Sequence, residues 1–178
     1  MGFDVGAVLA NLFLSYFATK AFGESEYAEW LLTQIEVVQE TFSSAFITEW
    51  NNSLQSSSPS SVNEIYSKDI YFDLELLQSA QQRFLRGVWR DTLGYTAVKM
   101  IRRIVGIAHV EDLESIQDKD VRAISEKLAL LFARSLLLSS YNDCIGKEGL
   151  FSTVQQVVHN LARPLYSSMP PDKWPGTI

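Results

Sequence analysis

The chain is short of cysteine, of basic residues and of long apolar runs, and each shortage excludes a class of protein. A single cysteine, Cys144, excludes an internal disulfide and a CxxC metal site, which favours a reducing compartment. The 15 Lys and Arg residues against 21 Asp and Glu give a net charge of -6, which argues against binding to nucleic acid or to an anionic membrane surface. Polar residues Asn11 and Ser15 interrupt the apolar run over residues 5–17, which is shorter than the roughly 20 residues of a membrane span. With no basic region before it, this run is predicted as a buried core helix and not as an anchor or signal peptide.

What the sequence does contain is typical of one soluble helical domain. Hydrophobic residues make up 47% and charged residues 20% of 178 positions. Apolar residues recur at three- and four-residue spacings, and neither period-two alternation nor an internal repeat is present. The prediction is therefore an all-α fold of five or six helices. These cover about 4–20, 25–50, 71–88, 91–109, 118–138 and 150–161.

Two segments depart from this helical pattern. Residues 51–61 are rich in serine and have too few apolar groups to offset the entropy of ordering, so they are predicted as a mobile loop inside a domain of residues 1–163. Residues 164–178 contain four prolines and are predicted as an extended or disordered tail.

The most informative segment holds two adjacent arginines, Arg102 and Arg103, inside a mostly apolar helix. An arginine side chain has five donors and a permanent charge, so such a pair on a largely buried helix is expected to face an anion or a ligand rich in hydroxyls. Helical spacing places both arginines on one stripe with Lys99 and Gly106. The packed side is then formed by Ala97, Met100, Ile101, Ile104 and Ala108.

Three points about this helix and its start stay open from the residues alone. Both arginines can instead bridge to acids on neighbouring helices. A glycine at Gly106 weakens a helix interior by about 1 kcal/mol, which is tolerable if another backbone or a ligand approaches there. Trp89, just before the helix, either packs in the core or borders a sugar pocket.

Other chemistry finds less support in the residues. His109, Glu111 and Asp112 lie within four positions at a helix end and cannot converge on one ion, so no metal site is predicted and His109 is assigned to the helix C-terminus. A serine hydrolase is excluded because no G-x-S-x-G turn is present. No complete catalytic constellation is found, so no catalytic residue is predicted in this chain.

Three segments, in order, carry a resemblance to a known family. They are MGFDVGA at residues 1–7, WRDTLGY at residues 89–95 and MIRRIVGIAHVEDLESI at residues 100–116. Over residues 1–138 the chain resembles the S-methyl-5-thioribose kinase family of methionine salvage. The resemblance implies the helical carboxyl-terminal lobe of a protein-kinase-like fold of the choline kinase and aminoglycoside phosphotransferase type.

The same resemblance implies a function and site residues. The family transfers the γ-phosphoryl group of ATP, with Mg²⁺, to S-methyl-5-thioribose. It places Arg102 and Arg103 in the substrate-binding site. It also gives Asp4 the role of an acid that supports the catalytic loop, although a plain helix N-cap is the alternative. The implied partner is this small-molecule substrate in a cytoplasmic enzyme, with no nucleic acid or membrane, and a homodimer is left open.

The chain also departs from the family. It has no glycine-rich phosphate loop, strand-borne lysine, catalytic loop or metal loop, so it is expected to bind no cofactor and to be inactive alone, as a kinase truncated at its amino terminus. The alternative is a non-enzymatic all-α interaction module. In either case the first helix is expected to leave an apolar surface that binds a hydrophobic dye and drives self-association. The residues assigned to that surface are Val5, Val8, Leu9, Leu12 and Phe13.

Overall fold

A computed structural model of the chain describes residues 1–55, 73–107, 111–144 and 154–167. These residues are 92% helical and contain no strand, which confirms the all-α prediction. The helices are α1 (Gly2–Ala21), α2 (Ser25–Gln55), α3 (Leu74–Val105), α4 (Glu111–Glu114), α5 (Lys119–Cys144), α6 (Val154–Val157) and α7 (Arg163–Ser167), with a π-helical turn at Val158–Ala162 between the last two.

The chain divides into two compact units, where composition predicted one domain. The first unit consists of Met1–Glu36 and Val88–Ile178, and the second consists of Val37–Gly87. Of the predicted serine-rich loop, residues 51–55 belong to α2 and residues 56–61 lie outside the described residues.

Several helix ends follow the residues that predicted them. Gly23 adopts a positive φ of 79° after α1, and the amide of Glu24 donates to the carbonyl of Thr19, which satisfies a terminal carbonyl of the helix. At the start of α5, Oδ1 of Asp118 accepts from the amides of Asp120 (2.9 Å) and Val121 (3.1 Å), so the predicted acidic start is confirmed.

Asp4 does not cap α1, contrary to one of the two interpretations offered for it. The N-cap residue is Met1, which makes no side-chain cap hydrogen bond, and Asp4 lies in the first turn. Its carboxylate is 3.6 Å from the amino group of Met1 and its side chain is 81% exposed. An acid in the first turn still interacts favourably with the helix dipole.

The predicted break between two helices near residue 91 is wrong, because α3 continues through it for 32 residues. Thr92 and Thr96 are fully buried, and the hydroxyl of Thr96 donates to the carbonyl of Thr92 at 2.8 Å, one turn earlier. The low helix propensity of Asp91 and Thr92 amounts to only a few tenths of a kcal/mol each, which tertiary packing readily overrides. The helix ends at Val105 and not near His109, which lies outside the described residues.

The last helical segment continues past Pro164, where the sequence predicted its end. Residues 154–167 are helical and Pro164 is the second residue of α7, while the rest of the predicted tail lies outside the described residues. Just before it, the amide of Arg163 donates to the carbonyl of Val158, five residues back. The π turn thus changes the hydrogen-bond spacing from four residues to five directly before Pro164, which has no amide proton to donate.

The core of the first unit lies at the carboxyl end of α1. The rings of Phe13 and Phe17 are 4.6 and 5.4 Å from the ring of Phe132 on α5. Tyr16 is fully buried, and its hydroxyl donates to the carbonyl of Ala162 in the π turn at 3.2 Å. This end of α1 therefore joins α5 and the carboxyl-terminal helices into one core.

The second unit has an aromatic core of its own. Phe46 and Phe84 stack at 5.7 Å, and Trp50 meets Phe84 edge to face at 5.4 Å. The amide nitrogen of Gln81 donates to Oδ1 of Asn51 at 2.8 Å.

Among the described helices, α1 has a length and apolar composition that match a membrane span. Half of its most apolar 18-residue window is buried inside the structure. A core helix has the same length and composition, so this finding carries no membrane assignment.

Candidate functional site

The carboxyl-terminal half of α3, residues 88–105, packs against α1 through two glycines. A Cβ added at Gly6 would lie 2.8 Å from the carbonyl oxygen of Thr92 and 2.9 Å from Cβ of Tyr95. Across the same crossing, the hydroxyl of Thr96 lies 3.3 Å from the carbonyl oxygen of Gly6. Gly2, one turn earlier, would place a Cβ 3.0 Å from Cβ of Asp91. The backbones of α1 and α3 therefore approach more closely than side chains would allow.

A third glycine holds the same half of α3 against α5. A Cβ at Gly94 would lie 2.7 Å from Oγ of Ser140, and this hydroxyl donates to the carbonyl of Arg90 at 2.9 Å. Residues 88–96 of α3 therefore pack against both α1 and α5. These contacts fix the position of the helix backbone that carries the two arginines.

The two arginines occupy different environments. Arg102 is exposed, whereas Arg103 is half-buried and its Nε atom is shielded from solvent. On the packed side, Ala97 and Met100 are fully buried and Ile101 and Ile104 are half-buried, as predicted, while Ala108 lies outside the described residues. Successive residues point about 100° apart, which separates the two guanidinium groups around the helix axis.

The expectation that this helix is largely buried around the arginines is wrong. Val98 is 50%, Val105 69% and Ile107 100% exposed. At the end of α3, apolar side chains and the cationic side chain of Arg102 are therefore exposed to solvent together.

For Arg102, the described part of the chain gives no support to the alternative that both arginines bridge to acids on neighbouring helices. Among the described residues, no acid lies within ion-pair distance of its guanidinium. Arg103, by contrast, is already engaged in an interaction within the chain. Arg102 is thus the arginine that offers its full set of donors to a ligand.

Gly106 has a local explanation. It follows the last residue of α3, and its amide donates to the carbonyl of Arg102 at 3.0 Å. A Cβ at Gly106 would overlap that same carbonyl oxygen. The interpretation that a second backbone or a ligand approaches Gly106 in a helix interior is therefore not needed.

The remaining predicted residues are not brought together with Arg102 in one described cluster. Asp4 forms its ion pair with the amino group of Met1. Trp89 is only 5% exposed and packs in the core. His109 lies outside the described residues, and within the described ranges no group of three His, Cys, Asp or Glu side chains could hold a metal ion.

Sequence reasoning missed an exposed aromatic pair beside the helix crossing. Phe3 and Tyr95 meet edge to face at 5.5 Å, yet they are 62% and 48% exposed. The available signal was Gly2 and Gly6, whose spacing of four places one glycine face on α1 against α3.

It also missed a polar cluster at the π turn. Nε of Arg163 donates to Oε2 of Glu29 at 3.0 Å, and Nη1 of Arg163 lies 2.6 Å from Nδ1 of His159. Nε2 of His159 is 3.3 Å from Oε1 of Glu36. His159 and Arg163 are one helical turn apart, but Glu29 and Glu36 lie more than 120 residues before them in the chain, so no local pattern indicates the cluster.

One pKa shift stands out, and it lies away from the arginine helix. The pKa of Arg122 on α5 is raised, chiefly by its hydrogen bond to Glu126, with further electrostatic support from Glu126 and Glu114. This side chain is charged at every accessible pH, so the pair is structural and not a proton donor.

Comparison with known proteins gives a consistent set of relatives, although no protein-family model matches the chain. Methylthioribose kinase 1 of Oryza sativa subsp. japonica is 39% identical over 164 residues, which is 89% of this chain and 35% of that protein. Methylthioribose kinase 2 of the same plant is 38% identical over the same length. Methylthioribose kinase of Escherichia coli O45:K1 (strain S88 / ExPEC) is 33% identical over 145 residues, which is 79% of this chain and 33% of that protein. The chain therefore spans about a third of the length of the relatives it matches.

Proposed function

We propose that this chain, which belongs to the methylthioribose kinases as a carboxyl-terminal portion, contributes the arginine segment that binds the substrate of that enzyme. The reaction is transfer of the γ-phosphoryl group of ATP to S-methyl-5-thioribose, giving ADP and S-methyl-5-thioribose 1-phosphate. One observation carries the proposal: Arg102 is exposed on a firmly packed helix, and no described acid lies within ion-pair distance of it.

The chemistry of the two arginines suits this role. A guanidinium donates several directed hydrogen bonds, which hold the hydroxyls of a sugar, and its charge offsets the charge that develops on a phosphoryl group in transfer. Arg102 is placed to touch the ligand directly. Arg103, half-buried beside it, supplies the second guanidinium while it remains tied to the fold.

The proposal assigns the remaining machinery to the part of the kinase that this chain does not match. ATP and Mg²⁺ belong to the full-length enzyme, and the described residues offer no set of metal ligands, so no step through either is assigned to this chain. Asp4 supports the catalytic loop in this proposal, and the chain alone is inactive. The enzyme is cytoplasmic and acts on a small molecule, without nucleic acid or membrane. The relatives favour the kinase over the non-enzymatic module.

The test uses a chimera in which this chain replaces the matched third of the rice kinase 1. Arg102→Ala or Arg103→Ala should lower kcat/KM by about a hundredfold, since a lost charge-assisted contact in the transition state corresponds to roughly 3 kcal/mol. Arg134→Ala removes an exposed arginine on α5 and is the matched control, expected to leave kcat/KM within about twofold.

A urea melt of the same variants separates binding from folding. If an arginine is an interhelical bridge, its removal strands a buried acid and lowers stability by about 3 to 5 kcal/mol. If an arginine variant shows a large fall in the urea midpoint but near-normal activity per folded molecule, that arginine does not bind the substrate.

A further inference from the structure

The exposed side of α3 carries a row of apolar residues in line with Arg102. Tyr95, Val98, Arg102 and Val105 are spaced three and four apart, so they lie along one stripe of the helix. Tyr95, Val98 and Val105 are 48%, 50% and 69% exposed. Phe3 of α1 extends the stripe sideways through its edge-to-face contact with Tyr95. We name these five residues the α3 face.

Single exposed apolar side chains are ordinary on protein surfaces, but a contiguous row is not. The α3 face is built by two helices whose backbones are locked together at Gly6, so its shape is fixed before any partner arrives. It contains an aromatic pair and an arginine, the side chains that dominate binding energy at protein interfaces. These features describe a rigid docking surface.

We propose that the α3 face is the docking surface for the part of a methylthioribose kinase that this chain does not match, with Phe3 and Tyr95 as its apolar anchor. This rests on the proposed function, since it places Arg102 at the junction of two parts of one enzyme. The occupant follows from the comparisons: the rice relative matches 89% of this chain with only 35% of its own length. In that relative, the residues outside the match are therefore about twice as many as the residues inside it.

The location of Arg102 supports this occupant over others. A partner seated on Tyr95 and Val98 reaches Arg102 within about 10 Å along the helix, so a ligand held by Arg102 is enclosed between the two surfaces. An anionic membrane or a nucleic acid is disfavoured by the net charge of -6. A second copy of this chain is the remaining competitor, and the test separates it.

The test compares the isolated chain with the rice chimera by the accessibility of one thiol. Val98→Cys is made with Cys144→Ser, and labelling of its tryptic peptide is followed by mass spectrometry. In the chimera the labelling rate should fall at least about tenfold relative to the isolated chain, because a covered thiol does not meet the reagent. Ala123→Cys, at an exposed position of α5, is the control and should change by less than about twofold.

Each outcome decides the proposal. Equal labelling of the Val98→Cys variant in both proteins overturns it, and so does a chimera that fails to fold, because this chain then cannot take the place of the matched third. Protection already present in the isolated chain, together with a dimer in sedimentation equilibrium, overturns it in favour of a second copy. Val98→Asp adds an independent reading: it should lower the urea midpoint of the chimera and leave that of the isolated chain unchanged.

Thiol protection is measured without substrate, so it does not depend on the role of Arg102. If the thiol of the Val98→Cys variant is protected in the chimera but Arg102→Ala leaves the activity of the chimera unchanged, only the proposed function is overturned. If the thiol is labelled equally in both proteins but Arg102→Ala lowers the activity of the chimera, only the docking role of the α3 face is overturned.

Discussion

The two ends of α1 are both apolar, yet their surroundings are opposite. At the carboxyl end Phe13, Leu14 and Phe17 are completely buried against α5 and its neighbours, whereas at the amino end Phe3 and Val8 are 62% and 50% exposed. The helix itself continues without interruption from Gly2 to Ala21. Burial of an apolar residue on this helix therefore depends on which partner helix passes by and not on hydropathy.

This contrast corrects the expectation about the apolar surface of the first helix. Of the five residues assigned to that surface, Leu9 and Phe13 are fully buried and Val5 and Leu12 are half-buried, which leaves Val8 as the exposed one. The exposed apolar area of the first unit includes Phe3 and the apolar residues Tyr95, Val98 and Val105 of the α3 face. Dye binding by the isolated chain stays a prediction, now assigned to a different set of residues.

The largest expected effect separates the two ends directly. Phe13→Ala should lower the free energy of unfolding by about 3 to 5 kcal/mol, because it opens a cavity in the core beside the ring of Phe132. Phe3→Ala, the same substitution ten residues earlier on α1, should change stability by less than about 0.5 kcal/mol. Urea melts of both variants give the comparison, and equal losses would show that the amino end is covered after all.

A smaller effect is expected at the helix crossing, where the amino end of α1 does pack. Gly6→Ala places a methyl group against the carbonyl of Thr92 and should destabilise the chain by about 1 to 3 kcal/mol. Gly87→Ala is the matched control, since a Cβ there meets nothing within 4 Å, and it should stabilise helix α3 by about 0.5 to 1 kcal/mol. Thermal melts that shift in the same direction for both would argue against a close crossing.

The smallest effect concerns the hydrogen bond that ties the carboxyl end of α1 to the π turn. Tyr16→Phe removes the donor to the carbonyl of Ala162 and should lower stability by about 1 kcal/mol. Tyr141→Phe, at a tyrosine that is 59% exposed, should have no measurable effect. Faster amide exchange over residues 158–163 in the Tyr16→Phe variant alone would confirm the link, and unchanged exchange would contradict it.

Much of the helical fold could be predicted because its signals are local. The three- and four-residue spacing of apolar residues, the glycine at Gly23 and the acid at Asp118 each act within one or two turns of their own helix. The twin arginines were also visible as charges in an apolar segment. The family resemblance rests on such local motifs, and the relatives bear it out.

What the sequence by itself determined is therefore the all-α class, most helix starts and the arginine segment. Only the tertiary structure decided that α3 continues through Thr92, that Arg102 is exposed while Arg103 is half-buried, and that Arg163 meets Glu29 across 134 positions. Helix formation follows from interactions between residues three or four apart, whereas exposure and polar pairing depend on which distant helices pack against each face.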